Sequence, residues 1–331
     1  MGPSLTDISL TDTNALAARA ATARKAGAGD TRFRIIALIA ALAVLGIFAG
    51  VILALIEGSW LAFKTFGFGF FTTEAWRPSR EIFGALGPIY GTLVTSAIAI
   101  VIAVPVGIGI AIFLTELCPR FLRRPIGIAI ELLAGIPSII YGIWGLFVFA
   151  PWFQLHVQEP VTLAVEGVPI LGTLFAGPTY GISIFTAGLI LSIMILPFIA
   201  AVTRDVLETV PGVLKEAAYG LGSTQWEVMW KVAIPYARTG IVGGGMLALG
   251  RALGETMAVT FVIGNAHRIE PSLFAAGTSI SAAIANEFTE ATSELYISSL
   301  IALGLILFFI TFIVLSCAQA MLRSMAKSAG K

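Results

Sequence analysis

Two ionisable residues interrupt a long run of small and apolar residues. Arg251 and Glu255 lie within residues 243–261, where glycine, alanine and aliphatic residues dominate. A spacing of four places both side chains on one side of an α-helix, about 6 Å apart along its axis. A charge at bilayer depth costs at least ~2.5–3.5 kcal/mol on insertion scales, so these residues must face protein or water and are candidates for function.

An arginine at this depth is suited to binding an anion. Its guanidinium is permanently charged, and its planar fork of donors matches two oxygens of a tetrahedral oxyanion. We predict that Arg251 contacts an anion in a substrate pathway and that Glu255 is its counter-ion when the pathway is empty. A structural pair that only holds helices together is the alternative. Phosphate, sulfate and molybdate all stay open, because one arginine attracts any tetrahedral anion.

Small residues give the same predicted helix a face for close packing. Gly244, Ala248 and Ala252 recur at a spacing of four. Such a face lets two helix backbones approach each other. We expect it to pack against a neighbouring helix.

A polar passage, residues 204–238, separates two strongly apolar runs. Thr209 is a candidate cap for a first short helix, and Pro211 suits its opening turn. Gly220 and Gly222 supply the positive-φ residue that ends this helix.

A second short helix is predicted to follow the bend. Thr224 and Glu227 have the spacing of a capping box, which begins a helix that Pro235 is expected to end. Small residues at the bend, including Ala217 and Ala218, would let a partner surface come close. The passage is therefore predicted to be a docking loop, with an amphipathic loop on the lipid surface as the alternative.

The motif in this passage resembles the EAA loop of permease subunits in bacterial ABC importers. The matching residues are Glu216, Ala217, Ala218, Gly222, Val232, Ile234 and Pro235. The family has Ile and Leu where this chain has Val232 and Ile234, a change that keeps shape and polarity. The resemblance implies that the loop is cytoplasmic and fits a groove on an ATPase subunit.

Composition agrees with a membrane protein. Of 331 residues, 57% are hydrophobic and 12% are charged, and the mean hydropathy is +0.94. These values lie outside the range of soluble globular domains, and a net charge of +1 does not suggest a nucleic-acid-binding surface. Cys118, Cys317, His156 and His267 are too isolated in sequence for a disulfide framework or metal-ligand spacing, so we expect neither a metal nor a cofactor.

An all-α polytopic membrane protein follows from six apolar runs, each long enough to cross the hydrocarbon. We predict the spans near residues 35–56, 89–114, 126–150, 182–203, 239–263 and 297–322. They form a permease domain over residues 35–325, with a mobile tail before it (1–34) and a short tail after it (326–331). Val161–Ala176 is too short and is interrupted, so it is predicted to be re-entrant or on the surface.

Basic residues set the predicted orientation. The side that carries both tails and the 204–238 loop holds 15 of the 20 basic residues, and four lie opposite. The positive-inside rule places both tails and the docking loop in the cytoplasm. The outer segments, residues 57–88, 151–181 and 264–296, carry acidic residues that form either a solvated face or a landing site for a soluble protein.

Three prolines fall within the predicted spans, namely Pro105, Pro137 and Pro197. Each removes a backbone hydrogen bond and is predicted to kink its helix. Broken helices often mark the pathway in transport proteins, although proline is also common in membrane helices generally.

A wider resemblance covers residues 35–325. Leu249–Phe261, Pro88–Ser96 and Arg124–Ala134 resemble segments of the PstC family, the permease subunits of phosphate-specific ABC importers. It implies the type I ABC importer permease fold, an inner-membrane location and phosphate passage that involves Arg251 and Glu255. It further implies a PstA-like second permease subunit, a dimer of a PstB-like ATPase and a PstS-like phosphate-binding protein.

The sequence itself weighs against two other functions. It contains no G-x-x-x-x-G-K-[ST] loop, so ATP hydrolysis must come from another subunit. It contains no H-E-x-x-H or G-x-S-x-G motif either, which disfavours an intramembrane enzyme. A permease for another oxyanion remains the alternative function.

Overall fold

The computed structural model describes the backbone of residues 5–329 and the side chains of residues 33–324. The described chain is α-helical, as predicted, and its only β pairing is two isolated bridges, Arg77 with Ile82 and Gly264 with Gly277. The described chain divides into two units, one ending at Glu57 and the other beginning at Gly58. The predicted mobile tail lies almost entirely outside the described side chains, and its mobility stays a prediction.

Fifteen α-helices make up the described chain. They are α1 Leu5–Phe66, α2 Gly69–Thr72, α3 Leu86–Ile112, α4 Arg120–Ala134, α5 Ser138–Trp144, α6 Ala150–Phe153, α7 Glu159–Ala164, α8 Leu171–Phe175, α9 Ile184–Glu208, α10 Gly212–Gly220, α11 Gln225–Val228, α12 Ile234–Leu253, α13 Met257–Val262, α14 Ile280–Glu287 and α15 Glu294–Ala329. Four π-helical segments and one 3₁₀ turn join some of them: Phe113–Leu117, Gly145–Phe149, Gln154–Gln158, Met229–Ala233 and Pro78–Arg80.

Six helical stretches among the described residues are long and apolar enough to cross a membrane, which confirms the predicted number. They are Phe33–Phe66, Leu86–Leu117, Ser138–Ala164, Ile184–Glu208, Gln225–Leu253 and Glu294–Ser324. We number them spans 1 to 6. Spans 1, 2, 4 and 6 contain the stretches predicted for them, apart from two residues before Ile184. Spans 3 and 5 differ from prediction.

Span 3 begins and ends later than predicted, since it runs from Ser138 to Ala164. Residues 120–134 form α4 as a separate helix, and the span starts at Ser138. Pro137 is the N-cap of α5 with an extended ψ of 137°, so it begins a helix instead of kinking one. The reason is steric, because a proline disfavours helical geometry in the residue before it.

Span 5 begins and ends earlier than predicted. Helix α11, the π-helical segment Met229–Ala233 and α12 run without a break from Gln225 to Leu253. Pro235 does not end this helix. It lies in the first turn of α12, it has no N–H group that would need an acceptor, and it follows a π-helical turn whose hydrogen bonding is already irregular. Gly254 ends α12, and a short break separates it from α13.

The main core lies where α9 meets α3, α12 and α13. Ile190, Leu191 and Ile195 of α9 are fully buried there. The predicted small-residue face of α12 is confirmed, because Gly244, Ala248 and Ala252 are all buried. A Cβ added to Gly244 would lie 2.7 Å from Cγ1 of Val202, so only glycine allows α9 to approach this closely.

Pro105 and Pro197 lie inside α3 and α9, as predicted. The kinks expected at these two prolines remain predictions. The interrupted stretch Val161–Ala176 forms the end of α7, a turn with positive φ at Gly167 and Ile170, and α8. Glu166, Gly167 and Pro169, which interrupt the stretch, thus fall where the chain turns.

Candidate transport and coupling sites

Glu255 lies in the break between α12 and α13. Its Oε1 accepts a hydrogen bond from the backbone N–H of Ala258 at 3.3 Å, which satisfies a free donor in the first turn of α13. The hydroxyl of Ser281 donates to the backbone carbonyl of Glu255 at 2.6 Å. Glu255 therefore fixes the break between the two helices and links it to α14.

Arg251 lies in the last turn of α12 and is exposed in the isolated chain. Among the described residues, no ion pair joins it to Glu255. The expectation that the two share one helix was wrong, because α12 ends at Leu253, between them. Their roles in anion passage stay predictions.

The surroundings of Arg251 are otherwise consistent with a cation. A positive charge in the last turn of a helix is stabilised by the carbonyl groups that the helix leaves unbonded. Tyr141, which is buried in span 3, lies within electrostatic range of the guanidinium. The hydroxyl of Tyr141 donates to the carbonyl oxygen of Leu133 at 2.9 Å, and so joins span 3 to the end of α4.

The predicted bend in the 204–238 loop is present between α10 and α11. The N–H of Gly222 donates to Tyr219 at 2.9 Å and the N–H of Ser223 donates to Ala218 at 3.1 Å, the two bonds of a Schellman motif. Gly222 has a φ of +85°, as predicted. Gly220 is the last residue of α10 and has no positive φ, so only one of the two glycines has the predicted conformation.

The caps of the loop agree only in part with prediction. Thr224 and Glu227 form the predicted capping box, with distances of 3.3 Å from Glu227 N to Thr224 Oγ1 and 3.0 Å from Thr224 N to Glu227 Oε2. Thr209 does not cap α10, because its hydroxyl donates to Val206 at the end of α9. Pro211 is the N-cap of α10, one position before the first turn.

The EAA residues divide between the surface and the interior. Glu216, Ala217, Gly222 and Pro235 are exposed, whereas Ala218, Val232 and Ile234 are partly buried. Large apolar side chains surround the exposed part: Val213 is 73% exposed, Leu221 89% and Trp226 67%. The loop, which we call the elbow (residues 212–235), therefore presents an apolar surface around its small residues.

Apolar contacts hold the elbow on the membrane helices. Met229 and Ala233 are buried in a cluster with Ala111 of α3, Leu207 of α9 and Ala237 of α12. A polar contact reinforces it. Nζ of Lys215, in α10, lies 2.5 Å from Oε1 of Glu116 at the end of span 2.

The EAA motif assigns no role to this ion pair, and local patterns could not have predicted it. Its partners are 99 residues apart. The only signal in the sequence is an acidic residue, Glu116, at the end of a long apolar run.

A second cluster of polar contacts lies in the segments that the sequence predicts to be outside. Glu287, in α14, accepts hydrogen bonds from Trp76 Nε1 at 2.5 Å, His267 Nε2 at 2.6 Å and Tyr296 Oη at 2.7 Å. The ring of His267 stacks on Trp76 with centroids 5.0 Å apart. Burial by itself raises the pKa of Glu287. The hydrogen bonds from His267, Tyr296 and Trp76, together with the charge of His267, lower this pKa by more in total, so the net shift is downward.

The same region contains an open cleft of about 560 Å³. Its lining comes from two segments and comprises Glu74, Ala75, Trp76, Arg77, Ala266, His267 and Arg268. His267 thus lies in a loop and joins the cleft wall to Glu287.

The chain resembles known proteins over most of its length. Residues 103–327 match the family described as "Binding-protein-dependent transport system inner membrane component". The phosphate transport system permease protein PstC of Mesorhizobium japonicum is 65% identical over 304 residues, which cover 92% of this chain and 93% of the relative. The PstC protein of Pasteurella multocida is 59% identical over 86% of this chain and 88% of the relative. The PstC protein of Haemophilus influenzae is 54% identical over 88% of this chain and 92% of the relative.

Solved structures share the fold. A crystal structure of a bacterial ABC transporter for the acidic polysaccharide alginate has a TM-score of 0.57, with 18% identity over 87% of this chain and 95% of that one. The same kind of transporter in complex with its alginate-loaded periplasmic protein has a TM-score of 0.58, with 18% identity over 88% of this chain and 95% of that one. The fold is that of an ABC importer permease.

Proposed function

Because the chain belongs to the family of binding-protein-dependent transport system inner membrane components, we propose that it is the permease subunit of an ATP-driven importer that carries inorganic phosphate into the cell. The observation that carries the proposal is the high identity, over nearly the whole chain, to permeases named for phosphate transport. The fold alone leaves the substrate open, since a permease of the same fold belongs to an alginate importer.

Energy for transport comes from a partner in this proposal. The chain has no P-loop, so a dimer of a separate, PstB-like ATPase hydrolyses ATP. The elbow is the surface that fits this ATPase, because Ala217 and Gly222 allow close approach while Leu221 and Trp226 offer exposed apolar area. The basic-residue count supports a cytoplasmic position for the elbow and for both termini.

Two further partners complete the proposed importer. A PstA-like second permease subunit forms the pathway together with this chain, and a PstS-like phosphate-binding protein delivers the anion from outside. The exposed acidic and basic side chains around the outer cleft, including Glu74, Arg77 and Arg268, support a polar surface for that delivery.

Arg251 is the proposed contact for the anion inside the membrane. Its guanidinium replaces part of the hydration that phosphate loses on entering the pathway. Because α12 ends just after Arg251, the unbonded carbonyls of that helix supply the partial negative charge that we had assigned to Glu255. Glu255 instead keeps the break in place through Ala258 and Ser281.

Competition between oxyanions tests which anion is the substrate. The complete importer is reconstituted in liposomes with ATP inside, and the loaded binding protein and labelled phosphate are added outside. We expect ATP-dependent uptake that unlabelled phosphate abolishes and that excess sulfate or molybdate leaves unchanged. Uptake that is suppressed equally by sulfate or molybdate would show a permease for another oxyanion.

A further inference from the structure

We propose that Glu116 is a positioning residue that transmits movement of the elbow to span 2. The inference rests on the proposed function, in which the elbow receives the movement of the ATPase. It adds a specific route by which that movement reaches the membrane helices.

Glu116 contacts both arms of the elbow. Its carboxylate pairs with Lys215 of α10 at 2.5 Å, and its backbone carbonyl accepts a hydrogen bond from the side-chain amide of Gln225, at the start of α11, at 3.2 Å. Lys215 directly precedes Glu216 of the EAA motif, and Gln225 follows the bend at Gly222. One residue of span 2 is therefore tied to the elbow on either side of its bend.

The ion pair is shielded from water more than other cytoplasmic-side pairs in the described chain. The side chains of Lys215 and Glu116 are 19% and 15% exposed, whereas Glu131 in the Arg204 pair is 53% exposed and Lys231 in the Glu227 pair is 72% exposed. Shielded pairs are screened less by salt, and losing one partner leaves an uncompensated charge. The Glu116 pair is the contact through which a displacement of α10 would act most strongly on span 2.

The backbone around Glu116 is irregular and is bonded to both α3 and α4. Phe113–Leu117 forms a π-helical segment, a feature found frequently at functional sites. The guanidinium of Arg123 donates to the carbonyl of Thr115 at 2.6 Å, and the Thr115 hydroxyl donates to Ala111 at 3.0 Å. A displacement at Glu116 is thus passed to α3, which packs along α9 and α12 in the core.

The test compares a neutralised pair with a reversed one. Glu116→Gln removes the charge but keeps the backbone bond to Gln225, and the double variant Glu116→Lys with Lys215→Glu restores attraction with the charges exchanged. Glu131→Gln is the matched control, since it neutralises the 53%-exposed carboxylate of the Arg204 pair on the same side of the protein. Each variant is assembled into the complete importer, and ATP hydrolysis is measured with and without phosphate-loaded binding protein.

We expect Glu116→Gln to reduce the stimulation of ATP hydrolysis by about fivefold or more, the lower end of typical coupling between sites. The reversed pair should regain most of the stimulation, and Glu131→Gln should retain it. Undiminished stimulation in Glu116→Gln would overturn the inference. The inference would also be overturned if the reversed-pair complex assembled but was not stimulated. Failure of both variants to assemble would overturn it as well.

The two proposals fail differently in this experiment. If the unaltered importer shows neither phosphate uptake nor stimulation, the proposed function is wrong. If the unaltered importer shows both and Glu116→Gln behaves like it, only the role of Glu116 is wrong.

Discussion

The carboxylate of Glu255 accepts a hydrogen bond from the backbone N–H of Ala258 at 3.3 Å, and so serves the first turn of α13. The same residue had been expected to neutralise Arg251, four positions earlier. A carboxylate that caps a helix near a break stabilises a defined gap in the span, whereas an ion pair would have stabilised a continuous helix. Arg251 is thereby left with the end of α12 as its main electrostatic partner within its own helix.

Removing the cap should destabilise the break. Glu255→Ala loses the acceptor for Ala258 N–H, whereas Glu255→Gln keeps an oxygen at the same place. Loss of a side-chain cap costs about 1 kcal/mol, so we expect a lower thermal midpoint for Glu255→Ala, by roughly 2–4 °C, and little change for Glu255→Gln. Thermal unfolding of the purified importer measures both. Equal midpoints for the two variants would show that the cap contributes nothing.

The conformation of Gly222 makes a prediction about coupling. Its φ of +85° is strained for any residue with a Cβ, and a β-branched residue there costs roughly 1–2 kcal/mol or more. An added Cβ would meet nothing within 4 Å in this chain, so the effect of Gly222→Val falls on the bend and on the surface offered to the partner. We expect transport to fall and ATP hydrolysis to stop responding to loaded binding protein.

Gly220 provides the control for this substitution. It is helical, and an added Cβ would also meet open space, so Gly220→Ala should leave stimulation unchanged. Normal stimulation of ATP hydrolysis in Gly222→Val would contradict the hypothesis that the bend fits the ATPase.

Orientation can be tested with single cysteines in a background that lacks Cys118 and Cys317. Ser223→Cys at the bend should react with an impermeant thiol reagent only from the cytoplasmic side, because the distribution of basic residues predicts a cytoplasmic elbow. Tyr180→Cys, at an exposed position in an outer segment, should react in intact cells. The opposite labelling pattern would reverse the whole topology.

The Glu287 cluster should make stability depend on acidity. The pKa of Glu287 is lowered from its ordinary value of 4.5 despite burial, because its ionised form accepts bonds from His267, Tyr296 and Trp76. A group with a depressed folded-state pKa contributes stability above its ordinary value, and this contribution is lost as pH falls through the folded-state pKa. Below about pH 4.5, the thermal midpoint of the unaltered protein should therefore fall more steeply than that of Glu287→Gln. Parallel pH curves would contradict the ionised cluster.

Local features of the fold could be predicted, whereas long-range ones could not. The six apolar runs, the capping box of Thr224 and Glu227 and the turn at Gly222 depend on residues a few positions apart, where one pattern determines one geometry. The Lys215–Glu116 pair joins residues 99 apart and exists only once α10 lies against span 2. No local pattern contains that information.

The wrong boundaries also have physical reasons. The predicted spans follow apolar content alone and therefore continue through Pro137 and Gly254, although a helix can end at either residue at low cost. The helix end at Gly254 is stabilised by the following residue, Glu255, which accepts hydrogen bonds from the N–H of Ala258 and the hydroxyl of Ser281. Ser281 lies 26 residues further along the chain. The role of Arg251 depends on this tertiary arrangement.

Uptake of labelled phosphate by importers that carry Arg251→Gln tests directly whether Arg251 contacts the anion inside the membrane. Glu255→Gln, which keeps the cap, is assayed beside it, and all rates are compared at equal amounts of assembled complex. A hydrogen bond to a charged group contributes about 1.5–3 kcal/mol, so we expect Arg251→Gln to lower the uptake rate by roughly tenfold or more. Phosphate uptake at the unaltered rate by an Arg251→Gln importer would contradict that contact.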